Sequence, residues 1–188
     1  MATLRRTLPV LALAALIATG CGYNTIQTKD EAVNSAASQI KTQLQRRADL
    51  IPNLVETVKG VARQESTIYI GVTEARSRLT SAVQSGTLQE MGAANQELTT
   101  ALSRLLVVVE NYPELKSNQN FLQLQDQLEG TENRISVARQ DYNRTVEDFN
   151  AYIRRFPYNL TAKVFGLGSP REYFEAAPGA QEGPKVNF

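Results

Sequence analysis

Cys21 is the only cysteine among 188 residues, and the chain has no histidine. These two counts decide most of the chemistry the chain can do. A lone thiol cannot close an internal disulfide, so the fold must hold without one. Without histidine, the commonest general base and the commonest zinc ligand are missing. Ser-His-Asp and Cys-His nucleophile systems cannot be assembled. Carboxylates are the acid–base groups left, with Glu110, Glu114, Glu129, Glu132 and Asp148 as candidates. A catalytic carboxylate pair needs close approach and pKa values pushed apart, whereas acids scattered along helices ordinarily form a solvated face. There is no phosphate-binding glycine loop, no GxGxxG turn after a strand and no Cys/His cluster. The expectation is a protein that is not an enzyme and carries no metal and no cofactor.

The setting of Cys21 points to another use of a thiol. Arg5 and Arg6 lie in a short basic start, and Leu8 to Ala18 is apolar, interrupted only by Pro9. Those eleven residues fall short of the roughly 20 that span a bilayer as a helix. They fit the apolar region of a secretory signal peptide, followed by the small residues Ala18, Thr19 and Gly20. The ending resembles a bacterial lipoprotein signal, in which a small residue precedes a cysteine that is lipidated and becomes the first residue of the mature chain. That resemblance implies a diacylglycerol thioether on Cys21 and an amide-linked acyl chain. One acyl chain holds a protein to a membrane only marginally, while two or more anchor it stably. A retained N-terminal membrane segment and a plain secreted protein are the competing readings. Residues 1–20 are thus expected to be a lipoprotein signal peptide and 21–27 the anchor and a short linker. The expected location is the bacterial envelope. Gly22, where an aspartate would hint at inner-membrane retention, favours the outer membrane if the organism is Gram-negative.

Lys and Arg number 20 against 19 Asp and Glu. Without Arg5 and Arg6 the balance from Cys21 onward is 18 against 19. Nucleic-acid binding ordinarily requires a strongly basic face, and no nucleic-acid partner is expected. The remaining charged cluster of interest is Arg46, Arg47, Asp49 and Asn53 around Pro52. It could form a partner-binding patch at a break in a helix. In the structural alternative, Asp49 and Asn53 satisfy backbone groups freed by the proline, and the arginines pair with acids of the last long helix such as Glu132.

The elements that must position these residues are helical. From Thr28 to about Phe156 proline occurs only at Pro52 and Pro113, and strand-like alternation is nearly absent. Thr28-Lys29-Asp30-Glu31 reads as a capping box opening a first helix. Apolar residues recur at helical spacing through Val33, Ile40, Leu44, Ala48, Ile51, Val55, Val58 and Ala62. Pro52 either kinks one long helix or starts a second, and the preserved apolar phase favours the kink. Helix is expected to continue towards Ala82. Ser85-Gly86 then punctuates the chain, and Thr87 to Glu90 forms another capping box. Asn111-Tyr112-Pro113 stops the helix that follows. The last long helix, opening near Ser117 or Asn118, has the clearest seam: Phe121, Leu124, Leu128, Thr131, Ile135, Ala138, Tyr142, Val146, Phe149, Ile153 and Phe156. One apolar stripe must be buried against other helices. The expected fold is all-α, an elongated antiparallel bundle of three or four long helices. A short helix over Asn159 to Phe165 and a C-terminal tail complete the chain.

With these segments in view, the body resembles the LemA family. The resemblance rests on QIKTQLQRRADLIPNLVETVKGVARQE (39–65), ENYPELKSNQNFLQLQDQLEGTENRISVARQDYN (110–143) and FNAYIRRFPYNLTAK (149–163), with a looser GLGSPREYFEA (166–176). It implies a helical bundle, here expected over 28–166, held to a bacterial membrane by its N-terminal segment; the tail over 167–188 is expected to be partly disordered, as Pro178, Gly179, Gly183 and Pro184 mark from Ala176 on. It implies no agreed reaction. The sequence thus points to a membrane-anchored, non-catalytic scaffold or adaptor for an unknown envelope protein, attached to the membrane through lipid at Cys21. The alternative is an envelope or cell-wall hydrolase using carboxylates. A homo-oligomer paired through an exposed stripe is a third option.

Overall fold

The computed structural model describes residues 2–62 and 65–175, with side chains from Gly22 onward. The Cys21 side chain and residues 176–188 of the expected tail lie outside the described residues. Among the described residues six helices follow in order: α1 (Ala2–Lys59), α2 (Ser66–Ser85), α3 (Leu88–Val109), α4 (Pro113–Lys116), α5 (Gln119–Arg154) and α6 (Tyr158–Val164). There is no strand among the described residues, as the missing period-2 alternation requires. The chain divides into two compact units, one of Met1–Ala37 with Gln140–Tyr173 and one of Ser38–Arg139 with Phe174–Phe188. Residues of α1 and α5 contribute to both.

In the second unit, α1 buries Ile40, Leu44, Ala48, Ile51, Val55 and Val58, a stripe three and four residues apart that turns one helix face inward. Pro52 lies inside α1 and the helix runs on past it, so the geometry with one helix is the observed one. The helical run expected towards Ala82 is broken instead: α1 ends at Lys59 and α2 begins at Ser66. Gly60 is a poor helix former, and the amides of Gly60 and Ala62 close the turn on the carbonyls of Glu56 and Val58 at 3.2 and 2.9 Å. Ala62 is nevertheless buried, and the Tyr69 hydroxyl donates to its carbonyl. The apolar phase therefore persists through a break in the backbone, which is why periodicity did not reveal it.

The two-residue connection Gly86-Thr87 lets α3 pack on α2. The expected capping box is present: the Glu90 amide donates to the Thr87 hydroxyl at 3.2 Å and the Thr87 amide to the Glu90 carboxylate at 2.6 Å. Leu98, Leu102, Leu105 and Val109 fill the buried face of α3. Asn118 caps α5, its side-chain oxygen accepting from the amides of Asn120 and Phe121 at 2.9 and 3.3 Å. Phe174 is buried in this unit, with the Arg139 guanidinium 4.3 Å from its ring centre.

In the first unit, Ile26 and Val33 of α1 are buried, as are Tyr142, Val146, Phe149 and Ile153 of α5 and Thr161 and Ala162 of α6. The capping box expected at Thr28 does not form: Thr28 lies within α1, and its hydroxyl donates back to the Asn24 carbonyl at 2.9 Å. Phe156, expected at the end of the buried seam, is 80 % exposed. Pro157 disfavours helical backbone at the residue before it, α5 stops at Arg154, and Phe156 leaves the seam. The segment after Gly166, whose φ of 72° suits a residue without a Cβ, is tied back to the unit. Asn150 exchanges two hydrogen bonds with the Arg171 backbone at 2.9 and 2.8 Å. The Arg171 side chain makes a fork onto Asp30 with both bonds at 2.9 Å. The Tyr142 hydroxyl donates to the Glu172 carbonyl at 2.9 Å.

Candidate functional site

Pro52 sets the local problem on α1. Having no amide hydrogen, it leaves the carbonyl four residues back, that of Ala48, without its helical donor. Neither Asp49 nor Asn53 repairs this. The Asp49 carboxylate accepts from Gln45 at 2.8 Å, and the exposed Asn53 contributes its backbone carbonyl to the Thr57 hydroxyl at 2.8 Å. The donor is Arg76 of α2, whose Nε reaches the Ala48 carbonyl at 2.9 Å. That requirement was readable from Pro52; the identity of the donor depends on where α2 packs.

Arg47, grouped with the surface residues by sequence, is only 4 % exposed. It donates to the Asn95 side-chain oxygen of α3 at 2.5 Å and pairs with Glu132 of α5. The pairing with Glu132 is the one expected for a structural arginine. Burial pushes the guanidinium below its ordinary pKa and Glu132 opposes that shift, a balance that leaves an arginine charged at neutral pH. Arg47 thus joins three helices and leaves the surface to its neighbours.

Arg46 and Asp49 open onto a cleft of about 500 Å³ between α1 and α5, with Leu50 beside them and Asp126, Gln127, Gly130, Thr131 and Arg134 opposite. The α5 positions recur four residues apart, so one helix face supplies them. Among the described residues, Arg46, Asp126 and Arg134 have no ion-pair or hydrogen-bond partner. A Cβ added at Gly130 would meet nothing within 4 Å, so this wall is open where a side chain would otherwise stand. The cleft therefore offers two cations and two carboxylates in an open recess, suited to charge-complementary contact with a polar surface. Asp126, Gly130 and Arg134 were not singled out by sequence reasoning. Their polar face on α5, opposite the buried seam, was the available signal.

The candidate carboxylates are dispersed. Glu132 pairs with Arg47 and Asp148 with Lys29. Glu129 accepts from Gln125 at 3.1 Å. Glu110 caps the end of α3 and Glu114 lies in the first turn of α4. Among the described residues no group of three or more metal-ligating side chains is placed to hold an ion, and no helix is long and apolar enough to cross a membrane.

The sequence pattern described as LemA family matches residues 36–188. The chain belongs to the LemA family. Among its relatives is magnetosome protein MamQ 2 of Paramagnetospirillum magneticum, 29 % identical over 196 residues, a match covering 90 % of this chain and 71 % of that protein. Magnetosome protein MamQ of Magnetospirillum gryphiswaldense is 26 % identical with the same coverage. Protein LemA of Metamycoplasma hominis is 23 % identical over 145 residues, covering 77 % of this chain and 65 % of that protein. The family match includes every residue of the α1/α5 cleft. It begins after the basic and apolar start and Cys21, so the features of that segment stand on its own residues.

Proposed function

We propose that this LemA-family chain is a lipid-anchored, non-catalytic scaffold of the bacterial envelope that receives a protein partner in the α1/α5 cleft. The cleft is the observation that carries the reading: Arg46 and Arg134 present charge there without engaging a neighbour among the described residues. Unpaired charges at a recess speed and orient the docking of a partner of matching polarity more than they add raw affinity. The anchor reading is supported by Arg5-Arg6, the apolar run and the Gly20-Cys21 ending. In that chemistry the Cys21 sulfur forms a thioether with a diacylglyceryl group and displaces the phosphorylated headgroup of the donor lipid. Hydrolysis of the Gly20–Cys21 peptide bond then frees the amine for acylation. Membrane attachment and residence on the periplasmic side of the outer membrane, for a Gram-negative cell, belong to the same proposal.

The test is photo-crosslinking in intact cells from a reactive amino acid at Gln127, which lines the cleft. A discrete adduct is expected, lost when Arg46→Glu and Arg134→Glu are combined. It should also be lost in Gly130→Trp, which fills the recess from its open wall. An adduct pattern indifferent to all three substitutions would remove the cleft from the proposal.

A further inference from the structure

The first unit carries an apolar face that its own packing does not use. Phe156 is 80 % exposed, Leu160 53 %, Val164 79 % and Phe165 56 %. Leu160 and Val164 are four residues apart on one face of α6, with Phe156 exposed just before the helix and Phe165 just after it, while Thr161 and Ala162 of the same helix are buried. Four large apolar side chains on so short a segment make a patch, where scattered single residues would need no explanation.

The charges on the segment that carries the patch have one sign. Arg154, Arg155 and Lys163 are exposed beside it, and no acid occurs from Phe149 to Arg171. The stretch of α1 that meets α6, from Gly22 to Gln27, is uncharged. In this unit Asp148 is engaged by Lys29 and Asp30 by Arg171. The location is equally specific. A Cβ on Gly22 would lie 2.7 Å from the Tyr158 ring, and the Tyr23 and Phe165 rings are 4.6 Å apart. The patch therefore stands beside the residue that follows Cys21.

We propose that α6, with Phe156 and Phe165, is an interfacial element that seats on an anionic lipid bilayer. The apolar patch enters the boundary between headgroups and acyl chains, and Arg154, Arg155 and Lys163 meet lipid phosphates. Amphipathic segments bind membranes through this combination of buried apolar area and attraction to anionic lipid. A second copy of the chain fits less well, because a two-fold pairing would set each copy's own patch against the other's and bring three cations against three. The inference shares with the proposed function only the premise that the chain lies at a bilayer; it does not require lipid on Cys21.

The test uses the full chain, reconstituted with vesicles of phosphatidylglycerol or of phosphatidylcholine. A genetically encoded environment-sensitive fluorophore replaces Leu160 or Val164. The same probe replaces Val137 for comparison, a residue of α5 in the second unit that is 56 % exposed. On phosphatidylglycerol, emission at 160 and 164 should shift to the blue and be quenched by nitroxide-labelled lipid, with neither effect at 137. The shift should shrink on phosphatidylcholine, in 1 M salt, where screening acts within about 3 Å, and in the triple variant Arg154→Gln, Arg155→Gln, Lys163→Gln. Water-like emission at 160 and 164 on phosphatidylglycerol would overturn the inference, as would the same blue shift without vesicles, which would mark self-association. A chain that pellets with vesicles while position 164 stays in water sinks this inference alone. A blue-shifted 164 upholds the inference whether or not Cys21 carries lipid, and lipid missing from Cys21 of the chain taken from its native membranes would sink the lipid anchor alone.

Discussion

A guanidinium that is 4 % exposed must be surrounded by acceptors, because an unpaired buried charge is costly. Arg47 directs its terminal nitrogen to Asn95 and Glu132, while its Nε stays buried without a partner, and so links α1, α3 and α5 of the second unit. Tyr142 does comparable work in the first unit through its bond to the Glu172 carbonyl. Burial pushes the Tyr142 phenol above its ordinary 10.0; Arg171 opposes this and Glu172 adds to it. The folded state then holds this proton more tightly than the unfolded state. The associated stability is complete below about pH 10 and is lost as pH rises through the folded-state pKa. Tyr69 is raised for the same leading reason, burial, and adds to the alkaline fall. Tyr142→Phe should cost about 1 kcal/mol at neutral pH, the worth of one hydrogen bond, and should flatten the fall above about pH 10. Urea unfolding at neutral pH and through the alkaline range reads both effects; an unchanged alkaline slope would assign that fall to other groups.

At the scale of elements, Pro52 and Arg76 act as a pair. Proline inside a helix ordinarily costs about 3 kcal/mol, part of it the orphaned carbonyl, and here that carbonyl is taken by Arg76. Arg76→Met should therefore cost about 1–2 kcal/mol with Pro52 present, and measurably less with Pro52→Ala, where the helix supplies its own donor. A double-mutant cycle by denaturant unfolding should show coupling of at least about 0.5 kcal/mol; strict additivity would mean that Arg76 does not serve the proline. The same elements explain what could be read in advance. The α5 seam was legible almost throughout because Phe121 to Ile153 repeats the period of one buried face, and the Thr87–Glu90 cap was legible because its chemistry is local. The break after Lys59 was not, since Ala62 keeps the apolar phase outside the helix. Phe156 was misplaced because spacing alone does not register where Pro157 ends α5. The cleft was half legible: Arg46 and Asp49 were named, but Asp126, Gly130 and Arg134 face them only through packing of α1 against α5.

For the whole molecule, the chain belongs to the LemA family and is all-α among the described residues. Its two units offer different surfaces: a charged recess in the second and an apolar, basic face in the first. The proposed function adds attachment at Cys21, which would hold the chain at a bilayer. The intact mass and N-terminal sequence of the mature chain extracted from its native membranes test that attachment directly. The account predicts a chain beginning at Cys21 with a diacylglyceryl thioether and acylated amine, and a Cys21→Ser variant that keeps residues 1–20 and incorporates no labelled palmitate. A native chain that retains residues 1–20, or begins elsewhere with an unmodified Cys21, would contradict it.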